Sequence, residues 1–200
     1  GTSNLSNIVK NHFHRDDIKF IKIDADIQYF DSSEILVEDI MNNDDRKRIK
    51  DLGLYDCIVF MEVIEHLEFS PGGEDLMRFL SSILLSNGLM ILTTPTPPLD
   101  KKYEDRVWPK DHSYEYSESE IIKLVNKYFK INKEIGWSLE EREFNKALEE
   151  NDLVRNIYCK LKGCFPESFL RSISAFLVSP SESREILMIC KKRREKVKYD

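Results

Sequence analysis

The chain has 200 residues, of which 41% are hydrophobic and 33% charged, the balance of one soluble globular domain with enough residues for a sizeable core. No apolar run approaches the roughly 18 to 20 residues that a membrane span needs, and the first residues show no secretory pattern. The formal net charge of −6 and pI near 5.4 weigh against a nucleic-acid binder, which usually presents a basic face. The exception is Lys191-Lys192-Arg193-Arg194-Glu195-Lys196-Val197-Lys198, read as a solvated basic tail over 191–200. Cys57, Cys159, Cys164 and Cys190 sit in apolar stretches without C-x-x-C spacing. They read as buried, reduced thiols of a cytoplasmic protein.

Along the chain, Leu5, Ile8 and Val9 predict a helix within Asn4–Phe13. Phe20 to Asp24 predicts a short strand that ends in an acid, and Glu34 to Ile40 a second one. Tyr55 to Met61 is a mostly apolar run of strand length, expected to be buried on both faces. Leu76, Phe79, Leu80, Ile83 and Leu84 then fall on one helical stripe. Asn87-Gly88 is expected to stop that helix before a buried strand, Leu89 to Thr94, closed by Pro95. Ser117 and Glu120 form a capping-box pattern ahead of Ile121, Leu124, Val125 and Tyr128. Ile131 to Gly136 and Glu185 to Cys190 complete the strands. Between them, residues 139–184 form an insertion too long for an ordinary connection. Its pattern is helical (Phe144 with Leu148; Leu153, Ile157 and Leu161; Phe169, Leu170, Ile173, Phe176 and Leu177), which suggests a lid over the sheet end.

Strands that alternate with helices imply a Rossmann-like α/β domain over 1–190, a mostly parallel sheet with helices on both faces. Such sheets bind ligands beyond the carboxyl ends of their strands. That rule selects Asp24, Asp39, the stretch Met61 to His66, and the loop after Thr94. Glu62, Glu65 and His66 stand at i, i+3 and i+4, so a helix starting there would put them on one face. Two carboxylates and an imidazole suit a divalent cation, with His112 as a fourth candidate ligand, but an imidazole is equally suited to taking a proton near neutral pH. The metal-free role is the one favoured here: His66 or His112 as base, with Glu62 beside them. Tyr103, Trp108, Tyr114, Tyr116 and Trp137 would line the mouth as aromatic walls or as loop packing, stiffened by Pro95, Pro97, Pro98 and Pro109. His12 and His14 read as surface residues.

The string from Tyr55 through Glu62-Val63-Ile64-Glu65-His66-Leu67, followed by an amphipathic helix, Gly88 and Leu92-Thr93-Thr94-Pro95, closely resembles class I S-adenosylmethionine-dependent methyltransferases. The resemblance continues through Asp111-His112 and Ser117 to Ile135-Gly136. It implies that Asp24 accepts the cofactor's ribose hydroxyls, that Asp39 and Ile40 flank the adenine, and that Met61 and Glu62 line the methionine portion. A vicinal diol suits a carboxylate, which accepts two hydrogen bonds. Of the family's glycine-rich first turn only Gly1-Thr2 could be the tail, so the strand before it is expected upstream of this numbering.

The implied activity is methyl transfer to an oxygen or nitrogen of a small molecule, with a sugar or other glycan-pathway acceptor preferred by analogy. Two alternatives come with the same residues. The Glu62, Glu65, His66 and His112 set is similar to that of metal-dependent RNA 3′-terminal 2′-O-methyltransferases, which would use the metal to acidify the substrate hydroxyl. A catalytically inactive, methyltransferase-like binding domain is the other.

Overall fold

The structure, a computed structural model, describes residues 18–24, 35–67, 72–97 and 110–193. The expectations for Gly1-Thr2, the helix within Asn4–Phe13, His12, His14, Pro98, Tyr103, Trp108, Pro109 and the residues after Arg193 lie outside that set. The chain divides into two compact units, Gly1–Gly53 and Leu54–Asp200.

In the first unit, β1 (Lys22–Asp24) pairs in parallel with β2 (Ile35–Val37), with Asp24 opposite Val37. Both strands are shorter than the sequence predicts. β2 stops before Glu38 because Asp39 already organises a turn: its Oδ1 accepts the Met41 amide at 2.8 Å, and its own amide donates to Asp45 Oδ2 at 2.7 Å. That turn leads into α1 (Asn43–Asp51), whose first amides are capped by the side chain of Asn42 and whose first turn carries Asp44 and Asp45. Ile49 is its fully buried anchor. Buried Glu38 is held by a two-pronged ion pair with Arg48, at 2.7 Å from Nε and 2.6 Å from Nη2.

The second unit is built on a four-stranded sheet in the order β3-β4-β6-β5. Its strands are β3 (Tyr55–Met61), β4 (Leu84–Pro95), β5 (Phe129–Ser138) and β6 (Glu185–Lys192). β3 and β4 are parallel, and β6 is antiparallel to both β4 and β5. Three strands therefore run one way with a reversed strand inserted among them, a Rossmann-like arrangement. β3 has the predicted span but not the predicted burial. Among the described residues it lies at one edge of this sheet, and Cys57 and Val59 are exposed while Phe60 is buried. β6 runs on to Lys192, two residues into the basic run, where Lys192 Nζ donates to the Leu84 carbonyl at 3.0 Å.

Helix α2 (Gly72–Ile83) buries Leu76, Met77, Leu80 and Ile83. It ends before the predicted Asn87-Gly88 stop, and Leu84 already begins β4. Asn87 and Gly88 instead lie inside the strand, at a register shift where Tyr55 faces Leu84 but Cys57 faces Leu89. A Cβ on Gly88 would sit 2.8 Å from Leu84 Cδ1 and 3.0 Å from the Asp56 carbonyl, so close packing rather than helix termination explains the glycine.

Helix α3 (Glu118–Val125) begins at the predicted capping box. Ser117 Oγ accepts the Glu120 amide, and the Glu120 carboxylate accepts the Ser117 amide at 2.8 Å. Ser117→Ala is expected to cost about 1 kcal/mol of stability in urea unfolding, the usual loss for a cap of this type. An unchanged midpoint would mean that water replaces the cap at no cost.

The insertion between β5 and β6 is helical as predicted: α4 (Glu141–Glu150), α5 (Asp152–Leu161), α6 (Glu167–Ala175) and a 3-10 turn at Pro180–Glu182. Its core gathers Leu139, Phe144, Ala147, Val154, Leu170 and Ala175. Leu153, Phe169 and Phe176 of the expected stripes remain largely exposed. The cysteines divide likewise. Cys190 is buried, and burial pushes its thiol up to about 12, whereas Cys159 and Cys164 are exposed along with Cys57. Cys57 lies on the edge strand, and Cys159 and Cys164 on and after α5 away from its buried residue Val154, so their apolar sequence neighbours do not cover them.

Candidate active site

The carboxyl end of β3 carries the one non-glycine residue with positive φ among those described, Glu62 at +51°. That conformation costs on the order of 1 kcal/mol for a residue with a Cβ, so its surroundings must impose it. Thr93 on the neighbouring strand does so twice: its carbonyl accepts the Glu62 amide at 3.1 Å, and its hydroxyl donates to Glu62 Oε1 at 2.6 Å. Chain direction changes here, and Ile64–His66 form a single 3-10 turn anchored by fully buried Ile64. The predicted helix face through Glu62, Glu65 and His66 therefore does not form. Glu62 lies before the turn and is tied to Thr93.

Glu65 is 1% exposed. Its Oε2 accepts the Thr94 hydroxyl at 3.2 Å, while Oε1 has no hydrogen-bond partner among the described residues. Burial raises its carboxyl above the usual carboxylate range, and the charge of Glu62 adds to the effect. The loop that carries His112 is fastened to this same turn: the amides of Ser113 and Tyr114 both donate to the Glu65 carbonyl, at 2.8 and 3.0 Å, and Ser113 Oγ donates to the His66 carbonyl at 3.1 Å. These bonds bring His112 beside His66, with ring centroids 5.0 Å apart and ring planes at 88°.

Both imidazoles are oriented by a partner on Nδ1. His66 Nδ1 lies 2.7 Å from the Asp111 carbonyl oxygen, which can only accept, so Nδ1 carries a proton and neutral His66 presents a lone pair on Nε2. His112 Nδ1 lies 2.9 Å from Glu115 Oε1. With that carboxylate ionised the same logic holds, and Nε2 is again the free position. Glu115 is buried, and Arg184 approaches its Oε2 at 3.8 Å. Arg184 also donates to Glu140 Oε1 at 3.1 Å and to the Thr96 carbonyl. One guanidinium thus joins both ends of the helical insertion, the end of β4 and the carboxylate that orients His112.

Glu65, His66 and His112 offer one ligand atom each within 4.8 Å of one another. Three of the four expected metal candidates are therefore brought together, and Glu62 is not among them. Glu185, at the start of β6, adds a further carboxyl raised by burial and by the charges of Glu62 and Glu65. Tyr114 and Tyr116 do not form an open aromatic wall. Both are buried, their rings meet edge to face at 4.8 Å, and Tyr114 donates to Glu120 Oε1 at 2.7 Å. Trp137 packs on Phe176 at 5.8 Å.

Thr93, Thr94, Glu115, Glu185 and Arg184 reach this cluster from other strands and loops and carry little local signal in the sequence. The spacing of His112 and Glu115 was the available local signal for one of them. In the first unit, Asp24 ends β1, exposed Asp39 holds the turn after β2, and the Ile40 carbonyl accepts Arg46 Nε at 2.5 Å. Met61 ends β3 in the second unit. Gly1 is outside the described residues.

Residues 4–155 match the model of a family described as a methyltransferase domain. No curated protein matches the chain in sequence. Among solved structures, a SAM dependent methyltransferase from Archaeoglobus fulgidus is similar at 14% identity over 96% of this chain and 82% of that one, with a TM-score of 0.58. A mycolic acid cyclopropane synthase complexed with S-adenosylhomocysteine and CTAB is similar at 11% identity over 96% and 74%, with a TM-score of 0.53. The N-methyltransferase NodS from Bradyrhizobium japonicum WM9 aligns at 10% identity over 88% of this chain, with a TM-score of 0.46, and the chain spans 66% of its length.

Proposed function

The chain belongs to the methyltransferase domain family, and from that premise we propose that it transfers the methyl group of S-adenosylmethionine to an oxygen or nitrogen of a small molecule. A sugar or other glycan-pathway acceptor is the preferred class, by analogy alone. The observation that carries the reading is the pair His66 and His112, each held through Nδ1 with Nε2 left to take a proton, beside strand ends where such folds bind ligands.

Exposed carboxylates suit the cofactor's amine and hydroxyl groups, since each accepts hydrogen bonds, and Asp39 in the first unit and Glu62 in the second are both exposed. Asp24 would hold the ribose hydroxyls, Asp39 and Ile40 the adenine, and Met61 and Glu62 the methionine portion. When bound, S-adenosylmethionine supplies an electrophilic methyl on a sulfonium sulfur. The protein's own part is to orient the acceptor and to receive its proton on an imidazole Nε2, relying chiefly on positioning. The helical insertion over residues 139–184 would act as a lid that governs acceptor choice, with Arg184 linking it to His112 through Glu115. No described helix is long and apolar enough to cross a membrane, and the exposed free cysteines suit a reducing compartment such as the cytoplasm.

Calorimetry with S-adenosylhomocysteine tests the cofactor assignment. Asp24→Ala is expected to weaken binding by roughly 1.5 to 3 kcal/mol, the range for a hydrogen bond to a charged group. Equal binding by both proteins would remove Asp24 from the site, and no binding by either would remove the cofactor.

A further inference from the structure

Glu65, His66 and His112 converge without a donor. Glu65 Oε1 is buried and unpartnered among the described residues, and it lies 3.8 Å from His66 Nε2, a lone-pair position in the neutral ring. A buried acceptor left unmet costs about 1 to 3 kcal/mol, and more when charged. A bound molecule that donates several hydrogen bonds at one point would remove that cost. A hydroxyl group donates only one and would leave the remaining acceptors facing each other. A primary ammonium donates three and carries the positive charge that a buried carboxylate lacks.

We propose that the methyl acceptor is an amine, bound as its ammonium by Glu65, His66 and His112. This inference rests on the methyltransferase reading and narrows its oxygen-or-nitrogen alternative to nitrogen. The spacing agrees. Acceptors spread to within 4.8 Å can each lie about 2.8 Å from one central nitrogen, which is hydrogen-bond distance.

The cradle also prepares the reaction. An ammonium has no lone pair, so one proton must leave before the nitrogen can attack. It passes to Nε2 of one imidazole, whose Nδ1 hydrogen bond is already made, and the charge left on the ring faces Glu65. Pyramidal inversion at the nitrogen then turns the freed lone pair away from that ring and out of the cradle, while the two remaining N–H groups keep donating to Glu65 and the other imidazole. The N–CH3 bond forms as the S–CH3 bond of S-adenosylmethionine breaks, and the sulfur retains that electron pair. His66, the more exposed ring, can return the proton to solvent.

The test uses the full chain with isotope-labelled histidine and two probes of nearly equal size, methylammonium and methanol. Methylammonium is expected to shift the ring nitrogen signals of His66 and His112 saturably, and methanol is not. In Glu65→Gln the apparent affinity for methylammonium is expected to fall at least tenfold. Equal responses to the two probes, no response to either, or an unchanged affinity in Glu65→Gln would overturn the proposal. So would saturable binding of Mn²⁺ that broadens both rings and excludes methylammonium. S-adenosylhomocysteine calorimetry on the same sample reports the cofactor separately, so a protein that binds it but ignores methylammonium refutes only the amine.

Discussion

His112→Ala and His66→Gln are each expected to cut methyl transfer by about 10²- to 10⁴-fold, the usual worth of a positioned general base. In barrier terms that is roughly 2.7 to 5.5 kcal/mol. Neither residue is among those assigned to the cofactor, so affinity for S-adenosylhomocysteine should stay near that of the unmodified chain. The measurement is single-turnover transfer of labelled methyl from S-adenosylmethionine, with the binding isotherm taken alongside. His112 is held by Glu115 at 2.9 Å and His66 by the Asp111 carbonyl at 2.7 Å. Losing either ring removes a proton acceptor without removing the bonds that pin the Ser113-Tyr114 backbone to Glu65. Chelator is expected to leave the unmodified enzyme active. Loss of activity with chelator, restored by Mn²⁺ or Mg²⁺, would overturn the base assignment, as would anomalous scattering from an ion about 2.0 to 2.3 Å from Glu65 and His66. With His112 as a further ligand, that result would also favour the RNA-terminal alternative.

The second large effect concerns the sheet that carries this site. Phe129 is fully buried at the first position of β5, opposite Lys192 of β6. Its own carbonyl accepts Arg193 Nε at 3.1 Å, so the backbone there has little freedom to close over a void. Phe129→Ala is expected to cost about 3 to 5 kcal/mol, the transfer of a ring plus the cavity it leaves. In a chain of this size that lowers the melting temperature by roughly 2 to 4 °C per kcal/mol. Thermal unfolding followed by circular dichroism checks it, and a loss below about 1 kcal/mol would mean that neighbouring side chains refill the space. The chemistry is separable from this packing, since His112→Ala should leave the melting temperature nearly unchanged.

What the linear order of residues determines by itself is whatever depends on near neighbours. The span of β3, the capping box of Ser117 and Glu120, and the helices of the insertion all follow from periodicity and local hydrogen bonding, and each is present in the fold. Of the polar residues expected at the strand ends, Glu65, His66 and His112 are brought together and Glu62 is not. The expected stop at Asn87-Gly88 was not met, because that pair answers to packing against Leu84 and Asp56 rather than to helix termination. The burial of β3 on both faces failed for a similar reason: whether an apolar strand is central or at an edge depends on its neighbours in the sheet.

Tertiary structure also separated residues that sequence spacing had grouped. Thr93 pulls Glu62 into a positive φ and out of any common helix face, while the Glu65 carbonyl collects two amides from a loop 48 and 49 residues further on and so delivers His112. Arg184 reaches Glu115 from the far end of the insertion. Spacing along a chain predicts which side chains share a face only while one regular element continues. At a strand end the backbone turns, and the partners that complete the site arrive from other strands and loops, at separations that no local pattern encodes.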